Sequence, residues 1–381
     1  MKYSNHNIII IGAGIHATAV GAAIRSKYPD RKLTIIDPNP FLYDWNRRTL
    51  SIGMRSMRSP WSHTLFGDEN DLHALSETNA ADKNDLLPLE AFTAHARDII
   101  EKFHLEQNRI PARVESITQN ELEGYTLSLT NNHPPISVNR LILAIGLGQP
   151  RMPSIKGIDI PEIYHADNID IRKKEWQDNN LDVLIIGGGL TAGTLAVRLA
   201  EKGIKVTIAI RRDVSIEPFD FDEKWFGGSI YKQFRQANLN KRLDMLTHGL
   251  MPGTITRECY DHILRLVKNG KIRILERTAV SKFSESGSKI RAHRKLRPKI
   301  GDFDQVICAT GYKADFDQYK LLSPNLREKV QLIDGYPVIK DSLELLPGVF
   351  VSGALAKLGI GAAATNIYGA RLAADIICEN I

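Results

Sequence analysis

Residues 7–25, NIIIIGAGIHATAVGAAIR, decide the fold of this chain, because they join an apolar run, a glycine turn and a small-residue helix. The four isoleucines lack helical periodicity, which predicts a strand buried on both faces, as in a parallel sheet. Gly12, Gly14 and Ala17 then follow in the pattern G-x-G-x-x-A. The first glycine permits a tight turn, the second lets a diphosphate approach the backbone, and the third residue lets the helix pack on the strand. The stretch therefore predicts a dinucleotide site with its phosphates at a helix N-terminus.

An acidic residue follows at the spacing expected of a ribose ligand. A second strand is predicted over residues 33–36, and Asp37 comes directly after it. In dinucleotide-binding folds an acidic side chain about 20 residues beyond the glycines bonds the ribose hydroxyls. Asp37 is therefore a candidate ribose ligand. A tight turn with a purely structural role is the alternative.

The chain repeats this motif in its middle. Residues 183–192, VLIIGGGLTA, again read as a strand, a glycine turn and the start of a helix. A repeated motif is far more informative than either copy alone. The sequence therefore predicts two nucleotide-binding units. The residues that match in the second copy are Gly187, Gly189, Thr191 and Ala192.

The two copies differ where the next strand ends. Residues 205–210 are followed by Arg211 and Arg212 instead of an acid. Two guanidinium groups suit a ribose 2′-phosphate, which predicts NADPH in preference to NADH. Asp213 would repel that phosphate if it pointed inward. A cationic strand end in solvent is the alternative.

Further apolar strands end at glycines, and a glycine-rich loop precedes the last predicted helix. Such junctions place backbone N–H groups at a sheet edge or a helix start, where they can face an anionic ligand. We therefore treat them as candidate cofactor contacts. They are Gly146, Thr310, Gly311, Tyr312, Gly353, Gly361, Ala362 and Ala363.

Residues 38–70 show little periodicity and are too long for a simple connection, which predicts a functional loop. Arginine can hold phosphate or carboxylate with two hydrogen bonds, and tryptophan offers a flat face to a ring. A solvated loop stapled by two tryptophans is the alternative. The residues concerned are Trp45, Arg47, Arg48, Arg55, Arg58 and Trp61.

The other segments give a coarse prediction of secondary structure. Helical spacing favours helices over residues 89–103 and 254–268, and one or two more within the aromatic-rich residues 219–250. About four alternating segments between residues 112 and 143 predict a small antiparallel meander. Residues 148–153 predict a linker without regular structure, because one glycine and two prolines fall within this short span.

Length and composition favour a globular protein with two domains. The chain has 381 residues, of which 43% are hydrophobic and 25% charged. No apolar run approaches the roughly 20 residues of a membrane-spanning helix, and the N-terminus passes straight into a predicted core strand. We therefore expect a cytoplasmic protein without membrane contact. The net charge of +6 is spread along the chain, which disfavours nucleic-acid binding.

The three cysteines, Cys259, Cys308 and Cys378, are far apart and form no C-x-x-C pair. This spacing argues against a disulfide framework and against a dithiol redox centre. Cys259 and His262 are three residues apart on a predicted helix, but two ligands do not make a metal site. We therefore predict no metal.

Two fingerprints with opposite charge behind them, together with the glycine junctions, resemble a two-dinucleotide-binding flavoprotein over nearly the whole chain. The segment Ala309-Thr310-Gly311-Tyr312 is similar to the A-T-G-Y/F element of flavin-containing monooxygenases and of lysine and ornithine N-hydroxylating monooxygenases. Asp44-Trp45-Asn46 looks like the aromatic step near the flavin in the N-hydroxylating enzymes, although their usual Trp-His pair is Trp-Asn here. Thioredoxin reductase shares the architecture, but its C-x-x-C is absent from this chain.

The resemblance implies an α/β fold of two Rossmann-like, doubly wound domains with small antiparallel meanders. The NADP-binding domain, residues 165–299, is inserted in the FAD-binding domain, residues 1–155 and 300–381. Asp37 would meet the adenosine ribose of FAD, and residues 361–363 the flavin end. His16, between Gly14 and Ala17, is a candidate contact to the FAD phosphate, with a tolerated surface residue as the alternative. Candidate substrate or nicotinamide contacts are Arg55, Arg58 and His63.

The activity that the resemblance implies is that of an NADPH-dependent, FAD-containing monooxygenase. Such an enzyme inserts one oxygen atom of dioxygen into a small-molecule nucleophile through a C4a-hydroperoxyflavin, and N-hydroxylation of an amine is the expected reaction. One alternative is a flavoprotein reductase that passes electrons from NADPH to a carrier protein or quinone. Another is a non-catalytic flavin-binding or redox-sensing protein. The cofactor carries the electron chemistry, so no catalytic acid or base is predicted.

Overall fold

A six-stranded sheet and a five-stranded sheet organise the chain, and each holds one of the predicted glycine turns. The computed structural model describes residues 7–68, 71–74, 86–121, 124–146, 148–295, 299–313, 316 and 320–381. Each sheet begins with an apolar strand that is buried on both faces, as the runs of isoleucine, leucine and valine predict.

The six-stranded sheet contains the first copy of the motif. Its central strand Asn7–Ile11 pairs in parallel with Lys32–Ile36 on one side and with Arg140–Leu143 on the other. Its one antiparallel pair, Glu344–Leu346 with Val349–Val351, lies at an edge of the sheet. In spatial order the strands are Glu344–Leu346, Val349–Val351, Arg140–Leu143, Asn7–Ile11, Lys32–Ile36 and Arg109–Ile110.

The five-stranded sheet contains the second copy and is parallel throughout. Its central strand Asp182–Ile186 lies between the next strand of the motif, Lys205–Ala209, and a strand from later in the chain, Gln305–Cys308. Asn7–Ile11 is flanked in the same way in the other sheet. In spatial order the strands are Ile272–Leu275, Lys205–Ala209, Asp182–Ile186, Gln305–Cys308 and Ile163–His165. The α/β class with two such parallel sheets is confirmed.

The domain boundaries remain a prediction, and the strand pairing bears on one of them. The sequence places the return to the first domain at residue 300. Gln305–Cys308, however, pairs with Asp182–Ile186 in the five-stranded sheet. Strand pairing therefore favours a return after Cys308.

Helices cover the two sheets. Ile15–Lys27, which follows the first glycine turn, buries mainly small residues and packs against the C-terminal helix. Close packing of this kind requires the alanines and glycine that the sequence supplies. The described helices are Ile15–Lys27, Tyr43–Ser51, Asp71–Ala74, Leu89–Lys102, Leu190–Glu201, Ser229–Gln236, Leu239–Gly249, Arg257–Lys268, Pro324–Arg327, Lys357–Ile360 and Ile367–Asn380.

Small antiparallel meanders accompany the parallel sheets, as predicted. One consists of Val114–Gln119, Tyr125–Leu129 and Ile136–Val138, and the other of Val280–Ser286, Lys289–Arg294 and Gly301–Phe303. The fourth alternating segment expected in the first meander, Arg140–Leu143, belongs to the six-stranded sheet instead. Three two-stranded pairs complete the strands: Ser215–Ile216 with Thr254–Ile255, Gln149–Pro150 with Tyr312–Lys313, and Leu332–Ile333 with Tyr336–Pro337.

Three local predictions are wrong in detail. The helix Tyr43–Ser51 lies in the stretch predicted as a loop, of which residues 69–70 fall outside the described part of the chain. That helix buries only Thr49 and Ser51, so it has no apolar stripe that periodicity could detect. Gln149–Pro150, predicted as unstructured, pairs with Tyr312–Lys313 at an edge, where proline is tolerated.

The third concerns the helix predicted from residue 254. It begins at Arg257, with the Thr256 hydroxyl capping the Cys259 N–H, because the preceding residues form a strand. None of the helices in the described residues combines the length and apolar character that crossing a membrane requires.

Candidate functional site

The first glycine of each turn lies against the carbonyl of the neighbouring parallel strand. Gly12 has φ +109° and Gly187 has φ +148°. A Cβ on Gly12 would collide with the carbonyl oxygen of Ala144, and one on Gly187 would collide with that of Ala309. Only glycine fits such a position. The two copies of the motif therefore have the same backbone geometry as well as similar sequences.

The first turn is open where a diphosphate would lie. Gly14 precedes the helix Ile15–Lys27, and a Cβ placed on it would meet nothing within 4 Å. Ala17 is fully buried at 0% exposure, so the helix packs closely on the strand. The same test at Gly146 also finds nothing within 4 Å. This space fits the phosphates that the fingerprint predicts at this helix N-terminus.

Asp37 is held by the turn that it follows. Its Oδ2 accepts a hydrogen bond from the Ala13 N–H at 3.0 Å, and its Oδ1 accepts one from the Asn39 N–H at 2.8 Å. Burial raises the pKa of the Asp37 carboxyl, although the two N–H groups oppose that shift. The carboxylate thus fixes the turn, and its contact to a ribose stays a prediction.

His16 is directed toward the C-terminal part of the sheet. Its Nδ1 lies 2.9 Å from the Ser352 hydroxyl, and its ring lies beside Gly353. Burial lowers the pKa of His16 to about 4, against a hydrogen bond to the Thr365 backbone that raises it. His16 is therefore neutral at pH 7 and already bonded, rather than a free surface side chain. Its contact to a phosphate is a prediction that would need an uncharged hydrogen bond.

The second turn is covered. Gly189 precedes the helix Leu190–Glu201, and a Cβ on it would lie only 3.1 Å from the Cα of Gly253. Arg212 donates a hydrogen bond to the Pro252 carbonyl of the same covering segment. Thr191 and Arg211 are exposed, and Ala192 is buried. The two glycine turns therefore have the same backbone geometry, but the second is less accessible to a ligand than the first.

Asp213 is paired with a cation of the same unit. Both of its carboxylate oxygens accept hydrogen bonds from Arg277 at 2.8 Å. This pairing offsets the negative charge that the sequence placed beside the predicted phosphate position.

Asp167 joins several predicted site residues, although no pattern in the sequence indicated such a role for it. It pairs with Arg47 at 3.3 Å and with Arg48 at 3.1 Å, and it accepts a hydrogen bond from the Tyr312 hydroxyl at 2.6 Å. Burial acts to raise the pKa of Asp167, but the Tyr312 hydroxyl and both guanidinium groups hold it below its usual value. These two arginines thus bind the protein itself.

Thr310 and Gly311 are fixed to the same linker as Tyr312. The Thr310 hydroxyl donates to the Arg151 carbonyl, and the Gly311 carbonyl accepts from the Arg151 N–H at 2.9 Å. The His165 ring lies 3.0 Å from the Gly311 carbonyl. The A-T-G-Y element is therefore hydrogen-bonded to the chain segment that leads from the six-stranded sheet to the five-stranded sheet.

The three predicted substrate contacts have different surroundings in the structure. Arg55 is 71% exposed and lies 3.7 Å from Glu201. Arg58 is bound to Thr254 and Asp220.

His63 lies between aromatic rings, 4.7 Å from that of Phe226 and 5.5 Å from that of Tyr368. Burial lowers the pKa of His63 to about 4, so its ring is neutral at pH 7. The three residues thus differ in exposure and in their partners, and their contact to a substrate or nicotinamide stays a prediction.

Three predicted contact residues have buried nitrogen atoms without a hydrogen-bond partner in the described structure. They are the indole N–H of Trp45, whose ring packs on Phe92, Nε of Arg58 and Nδ1 of His63. A buried polar atom without a partner is costly. These atoms are therefore suited to a bound ligand.

The loop predicted to meet the flavin end is packed on an aromatic cluster. Gly361 has φ +90°, and a Cβ there would collide with Trp225. Ala362 and Ala363 are buried in the same cluster. Gly361 is therefore required by packing in this conformation.

A cleft opens between residues 54–57 and the helices Leu190–Glu201 and Arg257–Lys268. Its empty volume is about 470 Å³, part of it open to solvent. Because Leu190 directly follows the second glycine turn, a nucleotide at that turn could extend into the cleft. The lining residues are Met54, Arg55, Ser56, Met57, Leu86, Leu190, Thr194, Val197, Arg198, Thr256, Glu258, Cys259 and His262.

The cysteines are free thiols. Burial raises the pKa of Cys259 to about 11 and those of Cys308 and Cys378 to about 12. All three are therefore protonated at neutral pH, and thiolate chemistry needs the deprotonated form. Among the described residues no group of three or more His, Cys, Asp or Glu side chains is placed to hold a metal ion.

Comparisons with known proteins agree with this architecture. The sequence profile of the family described as pyridine nucleotide-disulphide oxidoreductase matches residues 6–370. A ferredoxin–NADP reductase of Ignicoccus hospitalis is 26% identical over 219 residues, which cover 56% of this chain. That aligned segment spans only 55% of the reductase, about half its length.

Solved structures share the fold at low sequence identity. The ornithine N-hydroxylase of Kutzneria sp. 744, solved with reduced FAD, NADP⁺ and L-ornithine, superposes with a TM-score of 0.80 over 98% of both chains at 14% identity. The bacillithiol disulfide reductase of Staphylococcus aureus superposes with a TM-score of 0.67 over 98% of both chains at 18% identity.

Gly12→Ala should destabilise the fold, because the new Cβ collides with the Ala144 carbonyl and the positive φ is strained. We expect a loss of about 2–3 kcal/mol or more in the free energy of unfolding, measured by urea denaturation. Gly14→Ala adds the same methyl group in open space, so it should unfold like the wild type and instead weaken flavin retention. Equal unfolding free energies for the two variants would contradict this geometry.

Asp167→Asn should cost about 2–3 kcal/mol at pH 7, because it leaves two guanidinium groups without their carboxylate. The folded pKa of Asp167 lies below its unfolded value, so its stabilisation is present above the unfolded pKa and is lost as pH falls through the folded pKa. The difference from wild type should therefore shrink below about pH 4. Thermal unfolding at pH 7 and pH 3 measures it.

Asp159→Asn is the matched control, since Asp159 is an exposed acid in the segment that precedes Asp167. A pH-independent difference between wild type and Asp167→Asn would argue against the ion pairs as the cause.

Proposed function

Because this chain belongs to the pyridine nucleotide-disulphide oxidoreductase family, we propose that it is an NADPH-dependent flavoprotein monooxygenase that hydroxylates a small amine with dioxygen. The observation that carries the proposal is the pair of glycine turns with matching geometry and opposite charge behind them, Asp37 in one and Arg211-Arg212 in the other. The N-hydroxylase fold, shared along the length of the chain, supports the choice among oxidoreductases.

FAD would be held at the first turn. The open space at Gly14 would take its diphosphate, and Asp37 would face the adenosine ribose. Trp45 offers an unpaired indole N–H to a ligand acceptor. When bound, FAD would take a hydride from NADPH and supply the electrons that activate dioxygen.

NADPH would lie at the second turn, with its 2′-phosphate at Arg211 and Arg212. Asp213 does not oppose this arrangement, because Arg277 holds its carboxylate. The nicotinamide would extend from the N-terminus of Leu190–Glu201 into the cleft, where Arg55 is the exposed cation available to the nicotinamide or the substrate. The apolar cleft residues Met54, Met57 and Leu86 would exclude water from the reacting groups.

Exchange of a disulphide, which the family name includes, is not proposed for this chain. Its cysteines form no pair in the sequence, and burial keeps each of them protonated at neutral pH. The proposed enzyme therefore passes electrons from the flavin to an acceptor other than a disulfide of its own cysteines.

Electron transfer from NADPH to a carrier protein or quinone is the second candidate function. The partial identity with a ferredoxin–NADP reductase favours it. A non-catalytic flavin-binding or redox-sensing role is the third, and it predicts that NADPH does not reduce the bound flavin.

The products of oxidation distinguish these functions. With flavin-loaded protein, NADPH and a panel of primary diamines and basic amino acids, we expect a hydroxylated amine by mass spectrometry, formed in proportion to the NADPH consumed. Hydrogen peroxide is measured in parallel. Turnover that yields only peroxide, but is fast with ferredoxin or a quinone, would favour the reductase.

Arg211→Ala tests the assignment of the nucleotide. Loss of one charged contact should weaken NADP⁺ binding about tenfold and leave NAD⁺ binding unchanged. Isothermal titration of the flavin-loaded protein measures both constants. Arg172→Ala is the control, because Arg172 is an exposed arginine whose ion pair among the described residues is with nearby Asp170. Equal weakening of NADP⁺ and NAD⁺ would contradict a 2′-phosphate contact.

A further inference from the structure

Residues 251–254, here named the strap, lie over the second glycine turn. The Cα of Gly253 lies 3.1 Å from the position that a Cβ on Gly189 would take. At the first turn the corresponding position, on Gly14, has no atom within 4 Å. The second glycine of a fingerprint is small so that the diphosphate can approach there. The strap therefore occupies space that a dinucleotide needs.

One end of the strap is bound by the predicted 2′-phosphate ligand. Arg212 donates a hydrogen bond from Nη2 to the Pro252 carbonyl, and the same nitrogen lies near Gly253. The guanidinium that should bind the nucleotide is thus engaged with the segment that covers the site.

The other end is bound by a group that we call the latch, formed by Arg58, Asp220 and Thr254. Arg58 donates from Nη2 to the Thr254 carbonyl at 2.7 Å and to its hydroxyl at 2.9 Å. Asp220 accepts from the Thr254 hydroxyl at 2.7 Å and pairs with Arg58 at 3.0 Å. Thr254 is 1% exposed. Arg58 comes from the segment that follows the first unit's helix Tyr43–Ser51, so the latch ties the strap to that segment.

We infer that the strap closes the pyridine-nucleotide site in the free protein, and that a 2′-phosphate opens it by taking Arg212 from the Pro252 carbonyl. The inference rests on the proposed use of NADPH. A phosphate dianion is a stronger hydrogen-bond acceptor for a guanidinium than a peptide carbonyl. NADH carries no group that could replace the carbonyl, so it must displace the strap without this compensation. Closure therefore adds to the preference for NADPH.

The apparent affinity of a ligand falls with the fraction of protein in the competent state. Weakening the latch should raise that fraction. In flavin-loaded protein we expect Thr254→Val, which removes the hydroxyl but keeps the shape, to bind NADP⁺ and NAD⁺ about fivefold more tightly, the factor for one net hydrogen bond. Asp220→Asn weakens the same latch from the other side. Thr247→Val is the control, since its exposed hydroxyl donates to the Leu243 carbonyl of its own helix, away from the latch.

Hydrogen exchange of the wild type gives a second readout that needs no variant. NADP⁺ should speed amide exchange in the strap, and NAD⁺ at equal occupancy should do the same. Isothermal titration gives the binding constants for wild type and variants. Tighter binding by the latch variants, with faster strap exchange in the nucleotide complex, supports the inference.

Two outcomes would overturn it, and they differ in what else they affect. If both latch variants bind NADP⁺ with unchanged affinity, and NADP⁺ does not alter amide hydrogen exchange in the strap, the strap inference is wrong. The proposed use of NADPH would be unaffected. Absence of NADP⁺ binding by the wild type and by both variants would remove the strap inference together with the proposed function.

Discussion

The rest of the structure depends on one close approach, made twice. In each parallel sheet the backbone of the first fingerprint glycine lies against the carbonyl of the residue directly after the neighbouring strand, Ala144 in one sheet and Ala309 in the other. This contact forces the chain to turn directly off the strand into a helix. The helix N-terminus then points at the carboxyl edge of the sheet, where open α/β folds bind ligands. The positions of Asp37 and of Arg211 and Arg212 follow, because each ends the adjacent strand.

What the sequence could predict was local or repeated. Apolar strands, glycine turns and small-residue helices have short-range signatures, so both parallel sheets and the class of oxidoreductase were predicted, and the family match confirms that class. The two-dinucleotide fold followed from repetition rather than from either motif. Elements without a clear apolar period were missed, because periodicity was the signal used to find helices and strands. Tyr43–Ser51 buries too few side chains to show an apolar stripe.

The partners of the arginines could not be predicted. Arg47 meets Asp167 across 120 residues of chain, and Arg58 meets Thr254 across 196. An ion pair between irregular segments leaves no periodic pattern, and an arginine that binds phosphate looks the same in sequence as one that binds a carboxylate of its own chain. The Arg and Trp composition of residues 38–70 indicated anion binding in general. Only the fold identifies Asp167, Asp220 and Thr254 as the groups bound in the free protein.

If FAD binds at the first turn and NADPH at the second, as we propose, the contrast between the two turns fits the different demands on a resident cofactor and a co-substrate. A cofactor that stays bound needs a site that is formed in advance, and the first turn is open at Gly14 with Asp37 already fixed by the Ala13 N–H. A co-substrate must enter and leave in each catalytic cycle, so part of its binding free energy can be used to change the protein. The second turn has the same backbone but is covered by Gly253, and Arg212 is bound to the covering segment. Matching turns with different covers thus permit one chain to hold one dinucleotide and exchange another.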